Sequence, residues 1–221
     1  MRVAFHVHTT KSDGTATPKE MVDAAAKLGL DGMVITDHDS VLGGLEAQKN
    51  CPHGFLIITG AEVSSSDGHI LAVDVKENIP PGLSAKETVE KIHALGGLAV
   101  APHPYDLYRG GVGDLIKTVP FDAVETINGH TTLNRKNPAK AAKETGLPTI
   151  GGQDSHTTYE LDNILIEYEG DLRQAIKENR VRTIKQPPSV IIPRHIRYLI
   201  MRWRHPKERL KTFIKRLRKK A

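Results

Sequence analysis

The sequence predicts an α/β barrel, irregular or incomplete, followed by a basic helical tail, and three observations predict it. Short apolar runs alternate with longer segments of helical period, the pattern of a βα repeat. The apolar runs are near-continuous rather than alternating, as expected of strands covered on both faces. Polar His, Asp, Glu and Asn residues follow nearly every run, and a barrel gathers the C-terminal ends of all its strands at one place. The alternative, an open doubly wound sheet, collects ligands from fewer strand ends at a switch point.

Residues 2–7 (RVAFHV) read as the first strand. Thr17-Pro18-Lys19-Glu20 opens a helix by a capping box with an early proline, and Ala24 to Leu28 carry it to Gly29. GMVITDH is a strand ending in polar residues, Val41 to Asn50 is helical, and FLIITGAE repeats the strand-to-polar arrangement. HILAVDV is the fourth strand, and Ser84 with Glu87 three residues on opens the next helix. GLAVAPHP, DAVETING and LPTIGGQDSH continue the series, with helical segments near 111–118 and 134–145 between them. NILIEYE, a helix near 171–179 and RVRTIKQ complete the body. Pro187, Pro188 and Pro193 interrupt the pattern, which divides the chain into a body at 1–188 and an appendage at 189–221. There Ile196, Leu199, Ile200 and Trp203, and beyond Pro206 Leu210, Phe213, Ile214 and Leu217, space two short amphipathic helices with basic faces.

A chain of 221 residues, 38% of them hydrophobic, is long enough for one substantial core. Its single cysteine, Cys51, excludes an internal disulfide framework and allows a reducing setting, so a cytoplasmic location is expected. No basic stretch leads into an apolar run at the start, and no segment reaches the roughly 18 apolar residues of a membrane span, so neither signal peptide nor span is expected. The net charge of +5 conceals a division. Residues 189–221 hold twelve bases against Glu208 alone, a net of +11, and residues 1–188 hold 19 bases against 25 acids, a net of −6. An acidic body with a basic tail describes the chain better than a basic protein.

Side chains alternate along a strand, so His6 and His8 point to one side and can converge on one ion. Asp13 lies on the following loop, where Ser12, Asp13 and Gly14 permit a turn. Such a pair is a common coincidence alone, but the other strand ends strengthen it. ITDHD presents Asp37, His38 and Asp39, GAE presents Glu62, His69 begins the fourth strand, APHP presents His103, and GGQDSH supplies Asp154 and His156. Imidazole and carboxylate donors suit zinc, manganese or iron, and the absence of thiolates argues against a structural zinc site. The donors exceed the needs of one ion, and a carboxylate such as Glu62 can bridge two. Arg109, in YDLYRGG, and the Arg135-Lys136 pair follow the fifth and sixth strands on the same face; Arg109 is the candidate phosphate contact. His130, just beyond ETING, is a candidate substrate contact with a structural role as its competing reading, and Glu125 stands evenly between a core-edge and an outer-sphere carboxylate. No P-loop or dinucleotide glycine pattern is present, so nucleotide-triphosphate motors and nicotinamide oxidoreductases are poor fits.

In order, HVHTTKSDG, ITDHD, the glutamate of GAE, APHP and GGQDSH resemble the successive motifs of the PHP domain, the polymerase and histidinol phosphatase superfamily of metal-dependent phosphoesterases. The resemblance covers roughly residues 2–160. It implies a distorted (βα)7 TIM-like barrel with two or three divalent ions (Mn, Zn or Fe). It implies His6, His8, Glu62 and Asp154 on a first ion, Glu62 bridging to a second held by His103 and His69, and Asp13, His38 and His156 on a third. By the same resemblance His6, His8, Glu62, Asp154 and His156 are catalytic, and Asp37 orients a ligand histidine rather than binding an ion. Tyr105 stands where some relatives carry a second histidine after the proline, so no ligand is expected there.

The reaction implied is hydrolysis of a phosphoester by metal-activated water. The opening and ITDHD resemble the stand-alone nucleotide or exonuclease-like group, which points to a nucleoside phosphate or a short nucleic-acid end. The alternatives are a histidinol-phosphate-like small-molecule phosphatase and a non-catalytic metal-stabilised module that binds nucleic acid or protein. The basic tail fits contact with nucleic acid; its apolar stripe also fits docking on the acidic body or, held less favoured, an anionic membrane surface.

Overall fold

The computed structural model describes residues 1–106, 108–131 and 133–204, without the side chains of residues 195 and 198–204. Seven strands build the body: β1 (Arg2–Val7), β2 (Gly32–Ile35), β3 (Leu56–Ser65), β4 (Gly68–Val73), β5 (Leu98–Ala101), β6 (Ala123–Asn128) and β7 (Thr149–Gly152). The helices are α1 (Pro18–Lys27), α2 (Leu42–Asn50), α3 (Ala85–Ala94), α4 (Pro138–Thr145), α5 (Leu172–Lys177) and α6 (Pro188–Arg204), with a 3-10 turn at Gly113–Lys117. β8 (Ile164–Glu167) and β9 (Arg182–Lys185) extend the sheet beyond β1.

Local chemistry sets the helix ends. Thr17 and Ser84 each accept from the backbone of the glutamate three residues on, and that glutamate reaches back, so α1 and α3 start where both capping boxes stand. α4 starts at Pro138 rather than near 134, because the Asn137 side chain caps it and Asn134 bridges to Asp106 instead. It ends at Gly146, whose φ of 71° lies in the left-handed region.

β1, β2 and β3 run parallel, β5, β6 and β7 run parallel, and β4 lies antiparallel between β3 and β5. The run of parallel βα units expected from the sequence is therefore broken: β3 turns straight into β4, with Ser65 opposite Gly68, and no helix intervenes. Closure comes from the chain just past β7. Gln153 N–H donates to Phe5 O (3.0 Å), Ser155 N–H to His6 O (3.0 Å) and His8 N–H to Ser155 O (2.8 Å). The start of β1 is bound instead to β8, antiparallel at Arg2 and Val3. The result is an α/β fold with a nearly closed mixed β-barrel and helices alternating around it.

One apolar cluster draws Val3, Phe5, Val34, Leu71, Val100, Ala123, Ile150 and Ile166 from seven different strands, with Leu172, Ala175 and Ile176 of α5 packed on it, and it fills the barrel interior. Ala4, Val7, Met33 and Ile35 face outward against Met21, Val22 and Ala25 of α1. Ala61, Ile70, Ala99 and Val124 face outward in a third cluster with Val89 and Ile92 of α3.

The first of the two expected tail helices is present but begins earlier than expected: α6 starts at Pro188 and carries Pro193 inside it, so the prolines end the βα pattern without keeping the segment from 188 to 195 out of the helix. A proline at the first helical position removes an N–H that has no intrahelical partner anyway, so Pro188 begins the helix instead of blocking it. The second expected helix, from Leu210 to Leu217, lies outside the described residues.

Candidate metal centre

The histidines of β1 reach the barrel mouth through an irregularity. Val3 and Phe5 face inward, so strict alternation would turn His6 outward with Ala4. The β1–β2 register shifts between Ala4 and Val7, and His6 adopts φ 67°. This bulge keeps Val7 in the outer cluster while His6 and His8 turn to the barrel end, both fully buried. The closing hydrogen bonds at Gln153 and Ser155 set Asp154, itself at φ 59°, against these histidines. His103 likewise has positive φ, at 31°. Backbone strain at three donor-bearing strand ends is the kind a functional site retains.

Glu62 is the hub. Its Oε2 lies 3.3 Å from His6 Nε2, 3.2 Å from His8 Nε2 and 3.3 Å from His38 Nδ1, and its Oε1 lies 2.8 Å from His69 Nδ1 and 3.1 Å from His103 Nε2. His69 arrives because β4 is reversed: in a parallel strand its N-terminal start would lie at the opposite end of the barrel. Asp154 Oδ1 stands 3.6 Å from His6 Nε2 and 3.2 Å from His8 Nε2. Asp13 Oδ1 stands 3.2 Å from His156 Nε2 and 3.8 Å from His38 Nε2. Three overlapping groups result: His6, His8, Glu62 and Asp154; His8, Asp13, His38 and His156; and His38, Glu62 and His69. Every expected donor is at one barrel end.

Outer contacts aim these side chains. Glu125 Oε1 lies 3.1 Å from His6 Nδ1, and its Oε2 accepts from the His103 backbone N–H (3.0 Å) and Asn128 Nδ2 (2.8 Å). Glu125, which sequence left between two roles, thus holds His6 with Nε2 inward. Gly152 permits this, since a Cβ there would collide with Glu125 Oε1. His156 is held through Nδ1, 2.8 Å from the Asp154 carbonyl. Asp37 differs from expectation: it orients no histidine but accepts from Thr9 N–H (2.7 Å), Thr9 Oγ1 (2.8 Å) and Ser12 Oγ (2.7 Å), fixing the loop that carries Asp13. Arg109 Nη1 donates to Asp154 Oδ2. His130 is buried, with Nε2 3.1 Å from Glu160 Oε1 and its ring edge-on to His156, packing that fits the structural of its two readings. Glu160, fully buried and also accepting from Thr157 Oγ1, was not singled out by the sequence, where nothing but its distance from His156 marks it. Tyr105 points its hydroxyl at Asp114, away from the donors.

Burial alone would push the carboxyls of Asp13, Glu62 and Asp154 up. The surrounding histidines, with Arg109 beside Asp154, outweigh it and hold all three below the usual carboxylate range. Burial alone would lower His6 and His8. The adjoining carboxylates overcome it, raising His6 well above 6.5 and His8 to about 10. His38 goes the other way, to about 4, chiefly through burial. Protons on His6 and His8 thus balance buried negative charge that a cation would balance instead. The buried His8 Nε2 and Asp13 Oδ1 make no well-aligned hydrogen bond, as befits atoms meant for an ion. An all-nitrogen and oxygen donor set with ionised carboxylates fits divalent zinc, manganese or iron.

Comparison with known proteins agrees with this geometry. The family model described as PHP domain matches residues 4–113. The chain is 35% identical over 142 residues to the uncharacterized protein MJ1587 of Methanocaldococcus jannaschii, covering 59% of this chain and 83% of that one. It is 35% identical over 99 residues to the phosphoribosyl 1,2-cyclic phosphate 1,2-diphosphodiesterase of Eggerthella lenta, a match that spans 41% of this chain and 37% of that enzyme. In fold it resembles a two-domain protein from Bacteroides vulgatus containing a predicted PHP-like metal-dependent phosphoesterase, with a TM-score of 0.65 at 21% identity over 88% of this chain and 69% of the other. The chain belongs to the PHP domain superfamily, and its clustered histidine and carboxylate donors are those of a metal-dependent hydrolytic enzyme.

Proposed function

We propose that the chain hydrolyses phosphoesters, taking a nucleoside phosphate or a short nucleic-acid end, with two or three divalent ions of manganese, zinc or iron. The fold reading that goes with this is a distorted (βα)7 barrel at 1–188 with the appendage from 189. One observation carries the reading: the two oxygens of Glu62 face separate sets of histidines, so a single carboxylate serves adjacent ion positions. When bound, the ions supply positive charge against phosphate oxygens and lower the pKa of coordinated water.

The chain's own residues have distinct tasks in this reading. His6, His8, Glu62 and Asp154 hold one position, His69 and His103 with Glu62 the next, and Asp13, His38 and His156 the third. Glu125 and the Asp154 carbonyl fix the ring orientation of His6 and His156. We assign Arg109 the phosphate contact, since its guanidinium is beside Asp154 at the metal centre and its side chain is 26% exposed. A ribose phosphodiester substrate in the name of the Eggerthella lenta relative supports the phosphoester class.

The test is turnover of mononucleotides, short oligonucleotides, histidinol phosphate and an aryl phosphate by the manganese- or zinc-supplemented chain. Metal-dependent hydrolysis that is lost in His8→Ala and Asp154→Ala is expected. Bound ions with no turnover of any substrate would sink the proposal, and activity confined to histidinol phosphate would replace its substrate class.

A further inference from the structure

We propose that α6 lies in the plane of an anionic membrane surface and holds the barrel there, a role independent of the chemistry at the metal centre. The helix is fastened to the body by one face: Arg194 Nη1 donates to Asp162 Oδ1 (2.5 Å) and Asn163 Oδ1 (3.0 Å), both in the segment leading into β8. At about 100° per residue, Ile192 and Ile196 fall roughly opposite Arg194. They are turned away from the body, 56% and 51% exposed. Docking of the tail's apolar face on the acidic barrel is therefore not what these residues do.

The sequence extends the same spacing. Leu199 and Trp203 follow Ile192 and Ile196 at steps of three and four, the period of one helical face. Between and beyond them come Arg197, Arg202 and Arg204, and residues 189–221 carry a net of +11 with Glu208 their only acid. Outward isoleucines on a helix whose sequence is rich in cations match a surface with negative headgroups above hydrocarbon. A nucleic-acid backbone would pair with the arginines but leave Ile192 and Ile196 without an apolar partner, which favours lipid. Among the described residues no helix is long and apolar enough to cross a membrane, so the contact is peripheral.

The experiment is co-sedimentation of the full chain with vesicles of phosphatidylcholine alone and with vesicles in which about a third of the lipid is phosphatidylserine. The full chain is expected to sediment with the anionic vesicles only, and to be released in part by salt. Ile192→Glu with Ile196→Glu is expected to lower partitioning by about tenfold or more. Both positions are exposed, so the melting temperature of the double variant is expected to match wild type, and Arg197→Glu, also exposed, should weaken binding in the same direction. Undiminished sedimentation of the double variant would overturn the proposal. So would equal binding to neutral vesicles, or binding of a single-stranded RNA oligonucleotide with none to anionic vesicles.

Discussion

Replacing Glu125 by glutamine separates the outer support of the centre from its donors. The carboxylate faces hydrogen-bond donors on both oxygens: His6 Nδ1 at 3.1 Å on one, and His103 N–H at 3.0 Å with Asn128 Nδ2 at 2.8 Å on the other. Glutamine has the same shape but one oxygen, so its amide must point two hydrogens at existing donors. A buried donor without an acceptor costs about 1 to 3 kcal/mol. In the centre itself, His6 loses the anion that fixes its tautomer, and loss of such a partner weakens metal binding by about 10- to 100-fold. That range corresponds to about 1.4 to 2.7 kcal/mol. Titration of the metal-free protein with zinc against a competing chelator measures it, beside thermal melts of both proteins. An affinity equal to wild type would refute the assignment of Glu125 as the support of His6.

Three further outcomes follow from the same geometry. His6 and His8 are raised in the metal-free protein, His8 to about 10 from 6.5, so the stability they contribute is full below about 6.5 and is lost as pH rises toward 10. The melting temperature of metal-free protein should fall across that window, and zinc binding should release protons that calorimetry in buffers of different ionisation enthalpy detects; a flat melt with no proton release contradicts this. His156→Ala should lower metal stoichiometry by one ion while the His6, His8, Glu62 and Asp154 group still binds, and loss of every ion would contradict separate positions. Ser84→Ala removes the capping box of α3 at the surface and should cost about 1 kcal/mol in denaturant unfolding, with metal affinity unchanged.

Much of the body was legible because local signals sufficed. The capping boxes at Thr17 and Ser84 placed two helices, and the polar residues at strand ends picked out the side chains, from His6 to His156, that gather at one end of the barrel. What the sequence did not show depends on direction and closure. An apolar run reveals a strand but not which way its neighbour runs, so the reversed β4 was hidden, although Asp67-Gly68 was a hairpin signal at its start. The reversal is what brings His69, at the start of β4, to the end of the barrel where Glu62 lies. The bulge at His6 was equally silent: period two correctly put His6 and His8 on one side, but only the closing bonds to Gln153 and Ser155 decide which side. Glu160 went unnoticed because its partner His130 is thirty residues away, and the start of α6 was placed too late because prolines were read as breaks where one of them begins a helix.

The central claim is that Glu62 joins neighbouring ion positions through its two oxygens. The direct test is the number of divalent ions bound per chain, by elemental analysis of metal-saturated wild type and Glu62→Gln. Wild type is predicted to hold two or three ions, and Glu62→Gln to lose more than one of them because both oxygens face donor groups. One ion per wild-type chain, or a variant that keeps the full complement, would contradict the account.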